Sequence, residues 1–343
     1  MVYRFVDMLN QNGFDAYALH QKINFRYTWF KNETRVGYTR RRLRRETNTY
    51  KRLIKEQIDF HLKLLSSPLY CLFSRRQAEE KILSIKIDMR STDILVIPET
   101  RGSFLDKLAP GIRKIILNQN PYFTFSTYTS NRFGRGSPFH LKEILGMIVL
   151  SELNFTFQRH VFQQMNIYKV PLFIDSSKFY YNDVKKPQIA YMPRRCSKDS
   201  LAVVNMLKFR GLLQDFKIIA IDNKTEDEVA NILRESIIFL SFSHREGFGL
   251  PAAEAMACGC IVIGYSGNGG DEFFKEDFSY KIREGDFIAY TATVEAMIER
   301  YYQDKNGLLR IGQMASEFIL NTYSKRTTEK ELVNTFHRIL DAL

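Results

Sequence analysis

The sequence has little of what marks several protein classes. Its four cysteines, Cys71, Cys196, Cys258 and Cys260, are too few and too scattered for a disulfide framework, and they do not supply the paired Cys-x-x-Cys motifs of a zinc site. No apolar run approaches the roughly 18–20 residues of a membrane span, and the charged N-terminus lacks the apolar core of a signal peptide. Repeats and low-complexity tracts are also missing. We therefore expect a cytoplasmic protein with four free thiols.

The composition is that of a folded, enzyme-sized chain. Of the 343 residues, 45% are hydrophobic and 26% are charged, which disfavours global disorder. The length suits two domains or one large domain. A formal net charge of +12 favours anionic partners such as phosphates, nucleic acid or an acidic membrane surface, without choosing among them.

Half of this net charge lies in one segment. Between Arg40 and Lys63 there are nine Lys or Arg and three acidic residues, and an apolar run follows at roughly helical spacing. We interpret about 39–91 as a basic helical insertion. It either packs against the sheet with its charges solvated or, through about 40–73, lies on an anionic membrane as a peripheral contact at the inner face. Nucleic-acid binding is disfavoured because interleaved aromatic residues are missing.

The rest of the chain alternates between short β-branched runs and helical patterns, which predicts βαβ units around parallel sheets. A first series of strands is predicted near 94–97, 115–117, 147–150 and 167–174, and a second near 188–192, 216–221, 237–242 and 260–265. Helices are predicted at 199–210 and 226–235, and three more close the chain near 286–302, 306–321 and 327–341. The pattern predicts two α/β domains.

The beginning of the chain departs from this pattern. Residues 2–9 are predicted to form a helix that stops at Asn12-Gly13, and residues 15–20 are predicted to form a strand. A doubly wound domain normally opens with a strand that feeds its first helix. Either the natural start lies upstream, or this first domain is built without its usual first strand.

Residues 241–265 are the most informative part of the sequence, and their pattern predicts strand, loop, helix and strand. Pro251 suits the first turn of a helix, because its missing N–H would be unpaired there in any case, and Gly259 suits the helix end. This prediction places Glu254 in the first helical turn.

The loop before this helix combines two glycines with a carboxylate. Gly247 and Gly249 allow the backbone to approach a ligand closely, and the free N–H groups at a helix start attract anions. Glu246 and Glu254 flank this backbone, and an ionised carboxylate accepts two hydrogen bonds from a vicinal diol. A nucleotide sugar fits both demands. Alternatively, Glu254 only complements the helix dipole and Glu246 is a solvated loop residue.

The segment Glu246-Gly-Phe-Gly-Leu-Pro-Ala-Ala-Glu254 resembles the Glu-x7-Glu signature of retaining glycosyltransferases of family 4, also called group 1, which have the GT-B fold. Residues 171–179 are similar to the interdomain strand and turn of that family, and residues 323–340 are similar to its closing helix. The resemblance covers about 145–343 well and 94–130 loosely.

The resemblance implies an α/β chain of two Rossmann-like domains facing a cleft. Residues 1–168 are then the acceptor-side domain, apparently lacking its first strand and carrying the insertion of about 39–91. Residues 169–322 are the nucleotide-sugar donor domain, and 323–343 form a C-terminal helix that crosses back to the first domain.

The resemblance also assigns roles to residues of the donor domain. Glu246 would contact hydroxyls of the donor sugar, and Glu254 would bind the ribose. Arg194 and Lys198 would hold the diphosphate, although Pro193 replaces the usual glycine and their spacing is one residue short, so that Arg195 could share this role. The less favoured alternative is that they form a solvated basic turn. The donor-binding set is completed by His244, Gly247, Phe248, Gly249, Leu250, Gly267, Asn268 and Gly269.

The weaker members of this set are His244 and the glycine-rich segment 266–274. A single His beside a site is more often a hydrogen-bonded bystander than a catalyst. A glycine-rich loop alone is weak evidence, but its position at the carboxyl end of a strand adds to it.

The acceptor wall is expected at the strand ends of the first domain. Glu99, Gln119 and Asn120 are the candidates, and each is about as easily an ordinary strand-end turn. The family mechanism is a front-face displacement in which the departing phosphate takes the acceptor proton, so no protein base is required. Cations and helix N-termini would stabilise the leaving diphosphate. Because a suitable Asp-x-Asp motif is missing, we expect no metal and no cofactor beyond the nucleotide sugar itself.

The sequence thus predicts a retaining, metal-independent glycosyltransferase that moves a sugar from a nucleotide-diphosphate sugar to a glycan, lipid-linked or protein acceptor. The alternative is a catalytically silent GT-B protein that keeps the nucleotide pocket as a binding or scaffold protein. The missing first strand and the altered Arg-to-Lys spacing favour that alternative. Release of nucleoside diphosphate during turnover distinguishes the two.

Overall fold

The computed structural model of the chain describes residues 1–20, 26, 30, 32–38, 85–126, 128–194 and 196–343. Cys71, Arg195 and the proposed membrane contact at about 40–73 lie outside the described residues, as does most of the predicted insertion. The chain divides into two compact units. The first comprises Met1–Leu95, Ser103–Arg113 and Arg132–Glu143, and the second comprises Val96–Gly102, Lys114–Asn131 and Ile144–Leu343.

The first unit contains helix α1 (Val2–Gln11) and a small sheet. Strands β1 (Ala18–His20), β2 (Val36–Tyr38) and β3 (Ile85–Lys86) lie in this order and pair in parallel. The apolar side chains of α1 recur at helical spacing, and one face is buried: Tyr3, Phe5, Val6, Met8 and Leu9. The predicted N-terminal helix followed by a strand is confirmed, although the strand is three residues long.

The second unit contains most of a four-stranded sheet in the order β4 (Ile94–Pro98), β5 (Arg113–Asn118), β6 (Ile144–Val149) and β7 (Ile167–Lys169). Helix α2 (Glu152–Val161) lies between β6 and β7 along the chain. Strands β5, β6 and β7 are parallel. The strand predicted over 167–174 ends at Lys169, because Pro171 has no N–H to extend the ladder.

The same unit contains a five-stranded sheet, whose strands are β8 (Lys186–Tyr191), β9 (Lys217–Ala220), β10 (Ser236–Glu246), β11 (Ile261–Asn268) and β12 (Ser279–Lys281). They lie in the order β12-β11-β10-β8-β9, and each neighbouring pair is parallel. Its helices are α3 (Ser197–Arg210), α4 (Glu226–Glu235), α5 (Leu250–Ala257), α6 (Phe287–Gln303), α7 (Lys305–Thr322) and α8 (Lys325–Asp341).

Local sequence signals explain several of these boundaries. Thr225 and Glu228 form a capping box at the start of α4, in which each side chain accepts the backbone N–H of the other residue. Gly211 ends α3 in the left-handed conformation. Runs such as Ile237–Leu240 are 2% exposed or less, as expected for a central parallel strand covered on both faces.

The C-terminal helix α8 contacts the four-stranded sheet. The guanidinium of Arg338 lies 5.9 Å from the ring centroid of Tyr168 in β7, and just before α8 the carbonyl of Tyr323 accepts the backbone N–H of Ile174 at 2.9 Å. The assignment of domains to 1–168, 169–322 and 323–343 stays a prediction.

Among the cysteines that the structure describes, Cys196, Cys258 and Cys260 are free thiols, and the last two are buried. Within the described ranges, the structure contains no helix with both the length and the apolar character needed to cross a membrane. Short 3₁₀ helices occupy Glu99–Phe104, Pro121–Phe123, Gly134–Gly136, Pro138–His140 and Gly269–Glu272.

Candidate active site

Three loops of the five-stranded sheet leave it at the same edge. Leu240 of β10 pairs with Tyr191 at the end of β8, and Glu246 at the end of β10 pairs with Asn268 at the end of β11. Because these strands are parallel, the loops that follow them converge at the carboxyl edge, where open α/β sheets bind their ligands. The predicted donor residues that the structure describes lie in these loops and in the ends of the strands and helices that adjoin them.

The backbone is strained at the end of β10, just before the loop that follows it. The register of β10 against β11 shifts between Ser243 and Glu246, and Arg245 has a φ of +48°, which is uncommon for a residue with a side chain. Gly249 has a φ of +97° and forms the N-cap of α5. The prediction that Glu254 lies in the first helical turn is wrong: α5 begins at Leu250, so Glu254 is its fifth residue.

Gly247 brings this loop into direct contact with the turn after β5. A Cβ atom added to Gly247 would lie 2.1 Å from the carbonyl oxygen of Gln119 and 2.9 Å from Cα of Asn120. The hydroxyl of Ser151, which follows β6, donates a hydrogen bond to the carbonyl oxygen of Gly247. The space therefore accepts only glycine, and the loop packs against two loops of the four-stranded sheet.

Asn120 and Tyr122 link the same turn to two of the three loops at the edge of the five-stranded sheet. Its Nδ2 donates to the carbonyl oxygen of Arg245 at 3.0 Å, and its Oδ1 accepts the backbone N–H of Tyr122 at 3.1 Å. The hydroxyl of Tyr122 in turn accepts a hydrogen bond from Nδ2 of Asn268 at 2.7 Å. The predicted acceptor-side residues Gln119 and Asn120 thus lie against the predicted donor loops.

Glu99 lies beneath this turn and is only 4% exposed. Its carboxylate accepts the backbone N–H groups of Gln119 and Asn120. Burial raises the pKa of Glu99 above its ordinary value, although these hydrogen bonds oppose the shift. Its Oε2 atom has no hydrogen-bond partner in the part of the chain that the structure describes. Glu99 therefore supports the turn from below.

The predicted diphosphate-binding cations are solvent-exposed. Arg194 lies in the turn after β8, and Lys198 is the second residue of α3. Neither forms an ion pair with any residue that the structure describes. Cys196 precedes α3 with a φ of +44°, and its side chain does not cap the helix. The first N–H groups of α3 therefore add to the positive potential of these two side chains.

The other predicted donor residues occupy different environments. His244 is exposed, and its Nδ1 lies 2.7 Å from Oε2 of Glu284. Phe248 is buried at 3% exposure, so its backbone rather than its ring can meet a ligand. Leu250 is exposed at the start of α5. Gly267 and Asn268 both have a φ of +65°, and Gly269 begins the 3₁₀ helix that follows β11.

Four residues of this region were missed by reasoning from the sequence: Tyr122, Ser151, Glu272 and Tyr323. Only Ser151 carries a local signal. It follows the apolar run of β6 and caps α2, accepting the backbone N–H of Asn154 at 3.2 Å. The other three act through contacts between distant parts of the chain, which no local pattern predicts.

No group of three or more His, Cys, Asp or Glu side chains is arranged to hold a metal ion among the residues for which positions are described.

One family model matches part of the chain that carries this edge. Residues 208–307 match the family model Glycosyl transferases group 1. The chain is 28% identical over 281 residues to an alpha-1,6-glucosyltransferase of Actinobacillus pleuropneumoniae serotype 7 (strain AP76), covering 76% of this chain and 79% of that protein.

Solved structures show the same fold. The sucrose-phosphate synthase of Thermosynechococcus elongatus aligns with a TM-score of 0.62 at 14% identity, covering 99% of this chain and 92% of that chain. Anabaena HepE in complex with UDP aligns with a TM-score of 0.50 at 12% identity, covering 71% of this chain and 79% of that chain. The chain spans 55% of the length of two other matched structures. These alignments confirm the predicted GT-B fold with its parallel α/β sheets.

Proposed function

We propose that this chain, a glycosyltransferase with the GT-B fold, transfers a sugar from a nucleotide-diphosphate sugar to a glycan, lipid-linked or protein acceptor with retention of the anomeric configuration. The reaction as proposed needs no metal ion. The chain would be a member of family 4 of these enzymes, and the segment from Glu246 to Glu254 would be its Glu-x7-Glu motif.

One observation carries this proposal: the loop that contains Glu246 is in direct contact with the turn Gln119–Asn120. The backbone oxygen of Gln119 leaves no room for a side chain at Gly247, and Asn120 holds the carbonyl of Arg245. Loops of two parallel sheets therefore meet at their carboxyl edges. A donor bound on one side would present its reacting carbon to an acceptor on the other.

The proposed roles follow from the chemistry of each side chain. Glu246 would accept hydrogen bonds from hydroxyls of the donor sugar, and Glu254 would accept them from the ribose. Arg194, Lys198 and the N-terminus of α3 would stabilise the diphosphate as negative charge develops on the leaving group. Arg195 would share this role.

The identity of the donor is proposed from the relatives. The glucosyltransferase relative is named for an α-1,6 product, and HepE holds UDP. We therefore propose UDP-glucose as the donor. Its glucose is α-linked to the diphosphate, so an α-linked product has the same configuration as the donor, which is retention.

The proton of the acceptor hydroxyl would leave with the departing diphosphate. Glu99 is the titratable residue among the three acceptor-side candidates, and it lies buried under the turn with its carboxylate on two backbone N–H groups. Gln119 and Asn120 have amides, which position hydroxyls but do not take protons at neutral pH. A phosphate oxygen is therefore the proposed proton acceptor.

Hydrolysis of the donor tests this proposal without an acceptor. The full chain is incubated with UDP-glucose, and the first glucose released is followed by proton NMR before it mutarotates, with Mg²⁺ or with EDTA. We expect UDP and α-glucose at the same rate in both buffers, and at least a tenfold lower rate for Glu246→Ala. Initial β-glucose would contradict retention, and loss of activity in EDTA would contradict metal independence.

The same assay decides between turnover and the silent binding protein. UDP-glucose that binds but is never cleaved, either in water or with mixed glycan acceptors, would support the silent protein. Glu276→Gln serves as the matched control, because Glu276 is exposed and lies outside the proposed donor site. It should hydrolyse UDP-glucose at the rate of the unchanged protein.

A further inference from the structure

Tyr323 lies between α7 and α8 and is 6% exposed. Its backbone carbonyl accepts the N–H of Ile174, which lies in the connection that follows β7. Its hydroxyl donates to Oε1 of Glu272 at 2.9 Å. Tyr323 therefore connects three parts of the chain: its own segment between α7 and α8, the connection that follows β7, and the loop that follows β11.

The ring of Tyr323 packs against the proposed sugar-binding loop. The rings of Phe248 and Tyr323 meet edge to face at 5.0 Å between centroids, and Phe273 lies 6.1 Å from Tyr323 and 5.1 Å from Phe248. Phe248 is two residues beyond Glu246. Since buried aromatic rings in contact transmit displacements, a shift of Tyr323 would displace the backbone that follows Glu246.

Glu272 is the second member of this arrangement. It ends the 3₁₀ helix Gly269–Glu272, and its Oε2 accepts the backbone N–H of Glu152 at 2.7 Å. Glu152 is the first residue of α2, so this carboxylate also lies at the positive end of a helix. The side chain of Glu152 is itself paired with Lys169. Glu272 therefore joins the glycine-rich loop to the four-stranded sheet through α2.

The two donor loops also touch each other directly. A Cβ atom added to Gly269 would lie 2.5 Å from the carbonyl oxygen of Glu246 and 2.6 Å from the backbone nitrogen of Phe248. The 3₁₀ helix that carries Glu272 therefore abuts the backbone that carries Glu246. A movement of Glu272 cannot leave the neighbouring loop in place.

We infer that Tyr323 and Glu272 are positioning residues for the transfer reaction: their hydrogen bond fixes both donor loops relative to the connection at Ile174 and to the start of α2. This inference rests on the proposed function, in which those loops hold the sugar and the diphosphate. Neither side chain needs to touch the donor. Each acts on the reacting groups through the backbone of residues 246–249 and 267–272.

Tyr323→Phe is the most selective test, because it removes one hydroxyl and keeps the ring against Phe248. With UDP-glucose as donor we expect kcat to fall about tenfold while the donor KM changes less than about twofold, since misplacing bound groups slows the chemical step more than it weakens binding. Glu272→Ala, which removes the acceptor of this hydrogen bond and that of the N–H of Glu152, should lower kcat by at least as much. The double variant should be no slower than Glu272→Ala, because the hydroxyl of Tyr323 has already lost its partner there.

Two variants serve as controls. Tyr301→Phe removes a hydroxyl that forms no hydrogen bond with any residue described in the structure, and Glu276→Gln neutralises an exposed carboxylate four positions after Glu272. Both should keep the kcat of the unchanged protein. The inference would be overturned if the kcat of Tyr323→Phe or of the Glu272 variant stayed within twofold of the value of the unchanged protein. It would also be overturned if the loss in the double variant equalled the product of the losses in these two single variants.

Hydrogen exchange gives a readout that does not depend on turnover. In Tyr323→Phe, peptides that cover residues 152–155 and 246–249 should exchange faster than in the unchanged protein, while those of α6 should not change. If the unchanged protein releases no UDP from UDP-glucose, the proposed function fails and no transfer remains for these residues to serve, while exchange still shows whether the hydrogen bond fixes the two loops. Unchanged exchange in both peptides would overturn the inference, whatever the enzyme does.

Discussion

The side-chain amide of Asn120 donates a hydrogen bond to the backbone carbonyl of Arg245 at 3.0 Å, across 125 residues of sequence. Arg245 has a φ of +48°, a conformation that costs free energy for a residue with a side chain. The hydrogen bond from Asn120 to the carbonyl of Arg245 offsets part of this cost. Because Arg245 precedes Glu246, the bond fixes the start of the proposed sugar-binding loop.

Asn120→Asp tests this relationship. The substitution keeps an oxygen that accepts the N–H of Tyr122 but replaces the donor with an anion facing the carbonyl of Arg245. We expect the rate of UDP-glucose hydrolysis to fall about tenfold or more, since a carboxylate facing the carbonyl oxygen of Arg245 repels it and displaces the start of the sugar-binding loop. Asn131→Asp, at an exposed position, should leave the rate unchanged. Equal rates for the two variants would show that the bond has no effect on activity.

Gly247→Ala should be more damaging than its small size suggests. The new Cβ would lie 2.1 Å from the carbonyl oxygen of Gln119, so one of the two backbones must move. We expect a loss of about 1–3 kcal/mol in the free energy of unfolding, together with a large loss of activity. At Gly136 an added Cβ meets nothing within 4 Å, so Gly136→Ala should change neither. Denaturant unfolding and the hydrolysis rate measure both effects, and a fully active Gly247→Ala would contradict the described packing.

The elements of the fold could be predicted where local signals agree with one another. Helix α4 is predicted with its observed bounds, and a capping box of Thr225 and Glu228 stabilises its start. The strand predicted over 167–174 was too long because its apolar run continues past Pro171, where the ladder has already ended. The helix that carries Glu254 starts where Gly249 takes a left-handed φ, which placed this glutamate in the second turn rather than the first.

The pairing of loops could not be predicted in this way. The positions of Gln119 and Asn120 after a strand suggested an acceptor wall, but nothing local indicates that Asn120 holds Arg245 or that Tyr323 holds Glu272. These bonds depend on how two sheets pack, and that is decided by the summed burial of many apolar side chains. Glu99 is a similar case, since its position at a strand end does not indicate that its carboxylate is buried.

Glu99 should make the stability of the protein depend on pH. Its pKa is raised above its ordinary value of 4.5 by burial, so the folded state favours the protonated carboxyl. The stabilising contribution is therefore complete below pH 4.5 and is lost as the pH rises through the raised pKa. Glu99→Gln removes this titration. Between about pH 4 and pH 8, the melting temperature of the unchanged protein should fall relative to that of Glu99→Gln; parallel curves would contradict a buried, titrating Glu99.

Arg194 and Lys198 should affect catalysis much more than stability. Both side chains are exposed, so replacing them disturbs little packing. Each replacement, however, removes a positive charge that would stabilise the leaving diphosphate. We expect Arg194→Ala and Lys198→Ala each to lower kcat by about 10²–10³ with little change in melting temperature. Lys208→Ala, an exposed lysine near the other end of α3, is the control. A kcat unchanged in both site variants would identify a solvated basic turn.

The most direct test of the account is calorimetric binding of UDP, GDP, dTDP, ADP and CDP to the full chain without added metal, repeated with Glu254→Ala. The account predicts that UDP binds and that Glu254→Ala weakens its binding about tenfold or more, because a carboxylate that accepts hydrogen bonds from the ribose is lost. Tighter binding of another nucleotide would contradict the proposed donor. Binding of none of them, or UDP binding that Glu254→Ala leaves unchanged, would contradict the proposed donor site.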